Sequence, residues 1–325
     1  MMRFLPQYAL LAMGLGFAAF GPAFIASGTL RLLTEVFLVL TMAQLWNLLG
    51  GYTGLLSMGH QMFIGAGAYA VFYASNQLQV SAITLLPLAA VAGGLLALLT
   101  TPLLFRLREA YFAVGSWVIA EVVYLLISST DAVGASGGYP LLTLGLMNVA
   151  GVADLAFRLS VLLALTATLG IFVLMRRRFG FGLLCVRDNE LAAQSIGVNI
   201  TRNRRIVFVV SGAGVALCGA ILFLMNFYVD PGAAFDPTWT VAFLFIVIIG
   251  GIGTIEGPIV GTVIYFGLRE LFSTTLELSG TWYLIALGVL AIAVMLVMPK
   301  GVWGFVSERY KVKLFDIRRL APVKD

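Results

Sequence analysis

Charge is what this sequence has least of: of its 325 residues, 11% are Asp, Glu, Lys or Arg, against roughly 25% in a soluble domain. It has one histidine, His60, and two cysteines, Cys185 and Cys218, which supply neither a disulfide framework nor metal-ligand spacing. No GxxxxGK[ST] stretch occurs, so the backbone cradle that NTPases use for phosphates is missing. A single histidine and scattered aspartates do not form a catalytic cluster. These absences argue against an enzyme, against ATP hydrolysis within this chain, and against any cofactor or bound metal.

What the chain has instead is apolar length. Hydrophobic residues make up 61% and the mean hydropathy is +1.01. They come in runs of about 20, the length a helix rising 1.5 Å per residue needs to cross a hydrocarbon layer of roughly 30 Å. The alternating segments of a membrane β-barrel are absent. The expectation is an all-α, polytopic membrane helix bundle with about ten hydrophobic segments. Candidate spans are 6–30, 34–49, 54–74, 80–105, 111–129, 155–175, 206–229 and 281–298. The first run, behind Arg3, exceeds a signal-peptide core and reads as an uncleaved helix.

Fourteen of the 20 Lys and Arg fall between Arg176 and Arg205 or between Lys300 and Lys324. By the positive-inside rule both stretches are cytoplasmic, and the basic balance reports orientation rather than nucleic acid. Arg3, Arg106 and Arg108 mark further inside positions, so both termini are expected inside. The intervening loops 130–154, 230–238 and 270–280 carry Asp131, Asp154, Asp230, Asp236, Glu270 and Glu277 and no Lys or Arg. An even number of crossings must then separate the two basic stretches, which requires 239–268 to turn back on itself. That stretch contains GGIGTIEGP, Gly250 to Pro258, between two apolar halves too short to span singly. A re-entrant pair of half-helices or two very short spans is expected, since broken helices in membranes line cavities or are buried in protein. A second glycine break, WNLLGGYTGLLSMGH from Trp46 to His60, has the same order of Gly-Gly, turn and apolar helix. It is either the remnant of an internal repeat or an instance of the glycine common in membrane helices.

The loop RRRFGFGLLCVRDNELAAQSIGVNITRNRR should hold a short helix of about two turns. Asp188 or Asn189 caps its start, Glu190 suits its positive end, and Gly197 terminates it in a left-handed conformation. With Ala192 and Ala193 presenting little bulk, it reads equally as a docking element for another protein and as a solvated loop touching anionic lipid headgroups.

Here the sequence resembles a known family. ExAAxxxG, Glu190, Ala192, Ala193 and Gly197, resembles the ATPase-docking loop of ABC importer permeases. The string VRDNELAAQSIGVNITRNR, with Arg187, Asp188 and Asn189, is similar to that of the LivM-type permeases of branched-chain amino acid transport. So are GGYTGLLSMGHQMFIGAGAY, REAYFAV...AEVVYLL, GGIGTIEGPIVG and MPKGVWGF. The resemblance runs in order from Trp46 to Phe305. It implies a permease domain over 1–305, with the coupling loop at 176–205 and a basic tail at 306–325, in the bacterial inner membrane. It also implies a LivH-like second permease, two cytoplasmic ATPases and an extracytoplasmic solute-binding protein, with transport by alternating access and motion relayed through 155–175 and 206–229.

Candidates for the translocation path are the glycine breaks, Gly50, Gly51, Gly250 and Gly251, with three titratable residues. His60 either gates or contacts substrate or is a hydrogen-bonded structural residue. Glu121, mid-span, either lines the path or is neutralised by Arg158. Glu256 either faces the outer vestibule or accepts backbone N–H groups exposed by the break. Arg31 and Glu35, spaced i, i+4, are expected to pair with each other. The remaining alternative is a stand-alone secondary transporter or channel for small polar solutes such as amides or urea, for which Glu121 and Glu256 are a thin set of ionisable groups.

Overall fold

The computed structural model describes residues 5–107, 110–272, 280–310 and 315. Arg3, Arg108, Glu277 and the rest of the tail beyond Tyr310 lie outside the described residues. In chain order the helices are α1 Leu5–Phe24, α2 Ser27–Thr53, α3 Gln61–Leu78, α4 Leu86–Leu104, α5 Ala110–Ser128 and α6 Val149–Met175. They continue as α7 Arg178–Asp188, α8 Glu190–Ser195, α9 Ile200–Leu224, α10 Pro231–Ala234, α11 Thr238–Gly250, α12 Glu256–Glu270, α13 Gly280–Val297 and α14 Gly301–Tyr310. One antiparallel ribbon, Tyr139–Pro140 (β1) against Tyr228–Val229 (β2), joins two loops. Seven helical stretches among the described residues are long and apolar enough to cross a membrane, including Pro231–Gly250, which joins α10 to α11. The protein is a multi-pass, all-α membrane bundle.

The centre of the bundle is α2, antiparallel to α9 and tied to it at three levels. Arg31 Nη2 donates to Met225 O at 2.5 Å near one end, Ser211 Oγ to Leu45 O at 2.9 Å in the middle, and Arg204 Nη2 to Thr53 O at 3.3 Å at the other. Backbones elsewhere approach through small residues. A Cβ on Gly67 of α3 would lie 2.1 Å from Ala216 O of α9, and one on Gly219 would lie 2.5 Å from Ile64 O. Without an apolar-versus-water driving force between helices, this close packing is what holds them together. Polar groups near the end of α3 are satisfied by the loop that follows α5: Asn76 bonds Pro140 O and the Leu142 N–H, and Ser75 bonds Thr143. α5 and α13 present Trp117, Val122, Leu126, Val289 and Leu296 outward, a surface suited to lipid.

The structure revises several boundaries. α2 starts at Ser27 and runs through Gly50 and Gly51 to Thr53, so the first glycine break is not a break at Gly-Gly. The turn falls at Gly54, φ +77°, and residues 54–60 are non-helical, which moves the expected 54–74 span to Gln61–Leu78. The second break is narrower than Gly250–Pro258, falling between α11 and α12. There the halves fold back: a Cβ on Gly250 would meet Gly257 O, and one on Gly261 would meet Ile246 O, which is the register of an antiparallel hairpin. Arg31 and Glu35 do not pair. Arg31 bonds a backbone carbonyl and Glu35 bonds Arg269 Nη1 at 2.5 Å, because partners on neighbouring helices lie closer than the next turn of their own. Nor does any ion pair among the described residues join Glu121 to Arg158; both are exposed, on helices α5 and α6.

Gly67→Val is expected to overpack the α3–α9 contact, at a cost of about 1–3 kcal/mol or more, and to lower the melting temperature of the detergent-purified protein. Gly267→Ala, where nothing lies within 4 Å of the added carbon, should leave it unchanged.

Candidate functional site

A helix leaves its last four carbonyls without helical partners, and α2 ends deep among other elements. Two arginines, one in the 176–205 loop and one on α9 at its edge, bond these carbonyls. Arg187 of α7 donates through Nη1 to Gly51 O at 3.3 Å and through Nε to Asp188 Oδ1 at 3.0 Å. Arg204 of α9 donates to Thr53 O and, through the same nitrogen, to Glu190 Oε1 at 2.6 Å. Positive charge at a helix C-terminus is also favoured by the backbone dipole. The 176–205 loop is thereby fastened to the end of α2.

The same end of α2 meets the α11–α12 turn. Asn47 uses both faces of its amide, Nδ2 donating to Thr254 O at 2.8 Å and Oδ1 accepting from the Gly253 N–H at 2.9 Å. One turn earlier, Gln44 Nε2 donates to Ile255 O at 2.7 Å. Backbone groups that the helix break would leave orphaned are satisfied by two amides on α2. At the crossing Gly51 faces Gly253: a Cβ on Gly51 would fall 2.6 Å from Gly253 N, and Gly253 itself has φ +72°, where a side chain is strained. Gly251, φ +134°, lies against Lys300 O and Gly301, so the start of α14 joins the same cluster. The two glycine motifs, remote in sequence, are one contact.

The loop contains two helices rather than one. Of the two candidate caps it is Asn189 that caps α8, accepting from the Ala192 N–H at 3.0 Å, while Asp188 ends α7. α8 has six residues, shorter than two turns, and Gly197 follows in the left-handed region at φ +82°. Ala193 turns inward onto Val186 and Ile200; Ala192 is exposed. The outward bulk belongs to Leu191, 77% exposed, and Ile196, 65% exposed. Their apolar character amid arginines was the available sign of an outward contact face, and the small alanines drew attention from it.

His60 is wholly buried at the entry to α3. Ser211 gives its proton to Leu45 O, so it accepts from His60 Nε2 at 2.9 Å, and Nδ1 then accepts from Ser57 Oγ at 2.8 Å. This fixes the neutral Nε2–H tautomer. Phe63 and Phe208 pack edge-on against the ring. With the Trp46 indole donating to Ser57 O, the histidine pins the 54–60 segment to α2 and α9. Glu256 is also buried: its Oε1 accepts the Phe315 N–H at 2.8 Å, at the same end of the bundle as the 176–205 loop, and the Phe315 ring meets Phe172 edge-on. Glu121 stands apart from this assembly, on the exposed face of α5.

The molecule is a multi-pass helix bundle whose 176–205 loop is fastened to its central helix. A profile described as "Branched-chain amino acid transport system / permease component" matches residues 28–295, and the chain belongs to that family, as a permease subunit of an ABC importer. It is 26% identical to the high-affinity branched-chain amino acid transport system permease protein LivM of Salmonella typhimurium, over 90% of this chain and 74% of the relative. To the LivM of Escherichia coli it is 25% identical over the same shares. It is also 31% identical to the Escherichia coli LivH permease protein, over 37% of each chain. No solved structure matches.

Asn47→Leu should leave the half-buried Gly253 N–H and Thr254 O without their protein partner, at about 1–3 kcal/mol in total. The expected reading is a clear drop in thermal midpoint in detergent, larger than for Gln77→Leu elsewhere on an exposed helix face.

Proposed function

We propose that this chain is one of two membrane subunits of an importer for branched-chain or related amino acids, its LivH-like partner completing the translocation path, with ATP hydrolysed by two cytoplasmic ATPases and ligand delivered by an extracytoplasmic binding protein. The basic loops at the crossing end face the cytoplasm of an inner-membrane protein, and both termini lie on that side. Relatives named for branched-chain amino acid transport support the substrate class.

The observation that carries the mechanism is Arg204, which bonds Glu190 of the docking helix and Thr53 O of α2 at once. α8 offers Leu191 and Ile196 to a groove on the ATPase. Movement of α8 then pulls on the end of α2, and the α11–α12 hairpin follows through Asn47 and Gln44. This route supplements a relay through α6 and α9, since α9 carries Arg204 itself. Alternating access results when α2 and the hairpin shift against the partner permease.

The test is co-purification in detergent of the tagged chain with its ATPase, comparing wild type with the double change Glu190→Arg and Gly197→Trp. Loss of the ATPase from a variant that still elutes as a folded monodisperse chain is expected. Uptake into liposomes by this chain with no ATPase present would overturn the proposal in favour of a stand-alone carrier.

A further inference from the structure

At the end of α2 opposite the crossing lies a cleft of about 470 Å³. Its walls are apolar where Leu32, Leu222, Phe223 and Trp239 meet, and its charged groups are Arg31 and Glu35, one helical turn apart on the same face of α2. Each is held in place by a partner that leaves it capacity to spare. Arg31 uses one guanidinium nitrogen on Met225 O, with further donors remaining in its fork. Glu35 engages Arg269 through Oε1, which leaves Oε2 as an acceptor. A guanidinium and a carboxylate a helical turn apart, beside an aliphatic and aromatic wall, match the three parts of a free aliphatic amino acid: α-carboxylate, α-ammonium and side chain.

We infer that this cleft receives the amino acid on its way through the membrane, Arg31 binding the carboxylate, Glu35 the ammonium group, and the Leu32, Leu222, Phe223 and Trp239 surface the side chain. The inference rests on the importer reading for its substrate class. It adds a binding site at the far end of the helix that the docking loop holds, so that occupancy and coupling act on one rigid element.

Ala233 lines the same cleft and is exposed, which makes Ala233→Cys a small reporter. The complete importer carrying it is reconstituted in proteoliposomes and treated from the extracytoplasmic side with a membrane-impermeant methanethiosulfonate, the labelling of native Cys185 and Cys218 serving as baseline. Leucine at millimolar concentration should slow labelling at least threefold. Isoamylamine, without the carboxylate, and 4-methylpentanoate, without the ammonium group, should not. Arg31→Gln in the same background should abolish the protection by leucine. Equal protection by either analogue, protection that survives Arg31→Gln, or a cysteine that the reagent never reaches because another chain covers it would each overturn the inference. Leucine uptake by the wild-type importer is measured in parallel: absence of uptake of any amino acid sinks the importer reading, whereas normal uptake without protection sinks the cleft alone.

Discussion

In a medium with no water to satisfy them, the last carbonyls of a buried helix must be bonded by protein, and at the end of α2 that requirement organises the molecule. Arg187 and Arg204 meet it from α7 and from α9. The same solution recurs in mirror fashion at the other end, where Arg31 of α2 reaches past the end of α9 to Met225 O. Each helix of the pair therefore carries an arginine that completes the other, and Ser211 fixes the register between them. Removing either arginine exposes a carbonyl and loosens the register at once.

The position of α2 explains why so many polar groups cluster along a helix of low average polarity. Gln44 and Asn47 serve the hairpin turn, Thr53 O and Gly51 O serve the loop, and Arg31 and Glu35 stand at the opposite end. A helix 27 residues long extends about 40 Å at 1.5 Å per residue, enough to join the two faces of a bilayer. Its second half, from Leu38 to Thr53, is almost wholly buried against α6, α9 and the hairpin, so a displacement at that end is carried along the helix as translation or tilt.

The all-α membrane bundle, the turned-back 239–268 segment and the short helix ahead of Gly197 were legible in the sequence because hydrophobic length, short apolar halves and capping residues are local signals, although seven stretches among the described residues, rather than eight, reach span length. The partners of charged residues were not. Arg31 and Glu35 looked like a pair by helical spacing, and Glu121 with Arg158 by their shared unsuitability for lipid, yet spacing on one helix says nothing about which neighbour brings a closer carbonyl or guanidinium. Gln44 and Asn47 went unread although two amides i, i+3 apart in an apolar helix, just ahead of Gly-Gly, are a visible anomaly. Their meaning depends on residues about 200 positions away, and pattern reading along one element cannot supply that. The likeness of the two glycine motifs was noticed, but that they touch is a fact of tertiary structure alone.

The meeting of Gly51 with Gly253 has a mechanical side. Where two chains touch through bare backbone, no side chain must change rotamer for one to move along the other, so friction at that point is low. Interlocked leucines elsewhere in the bundle would have to climb over one another to make the same movement. Asn47, bonded to both sides of the turn, sets the limit of travel at the length over which two amide hydrogen bonds can stretch before they part. The contact thus behaves as a sliding bearing with a built-in stop, and its smoothness is a property of what glycine leaves out.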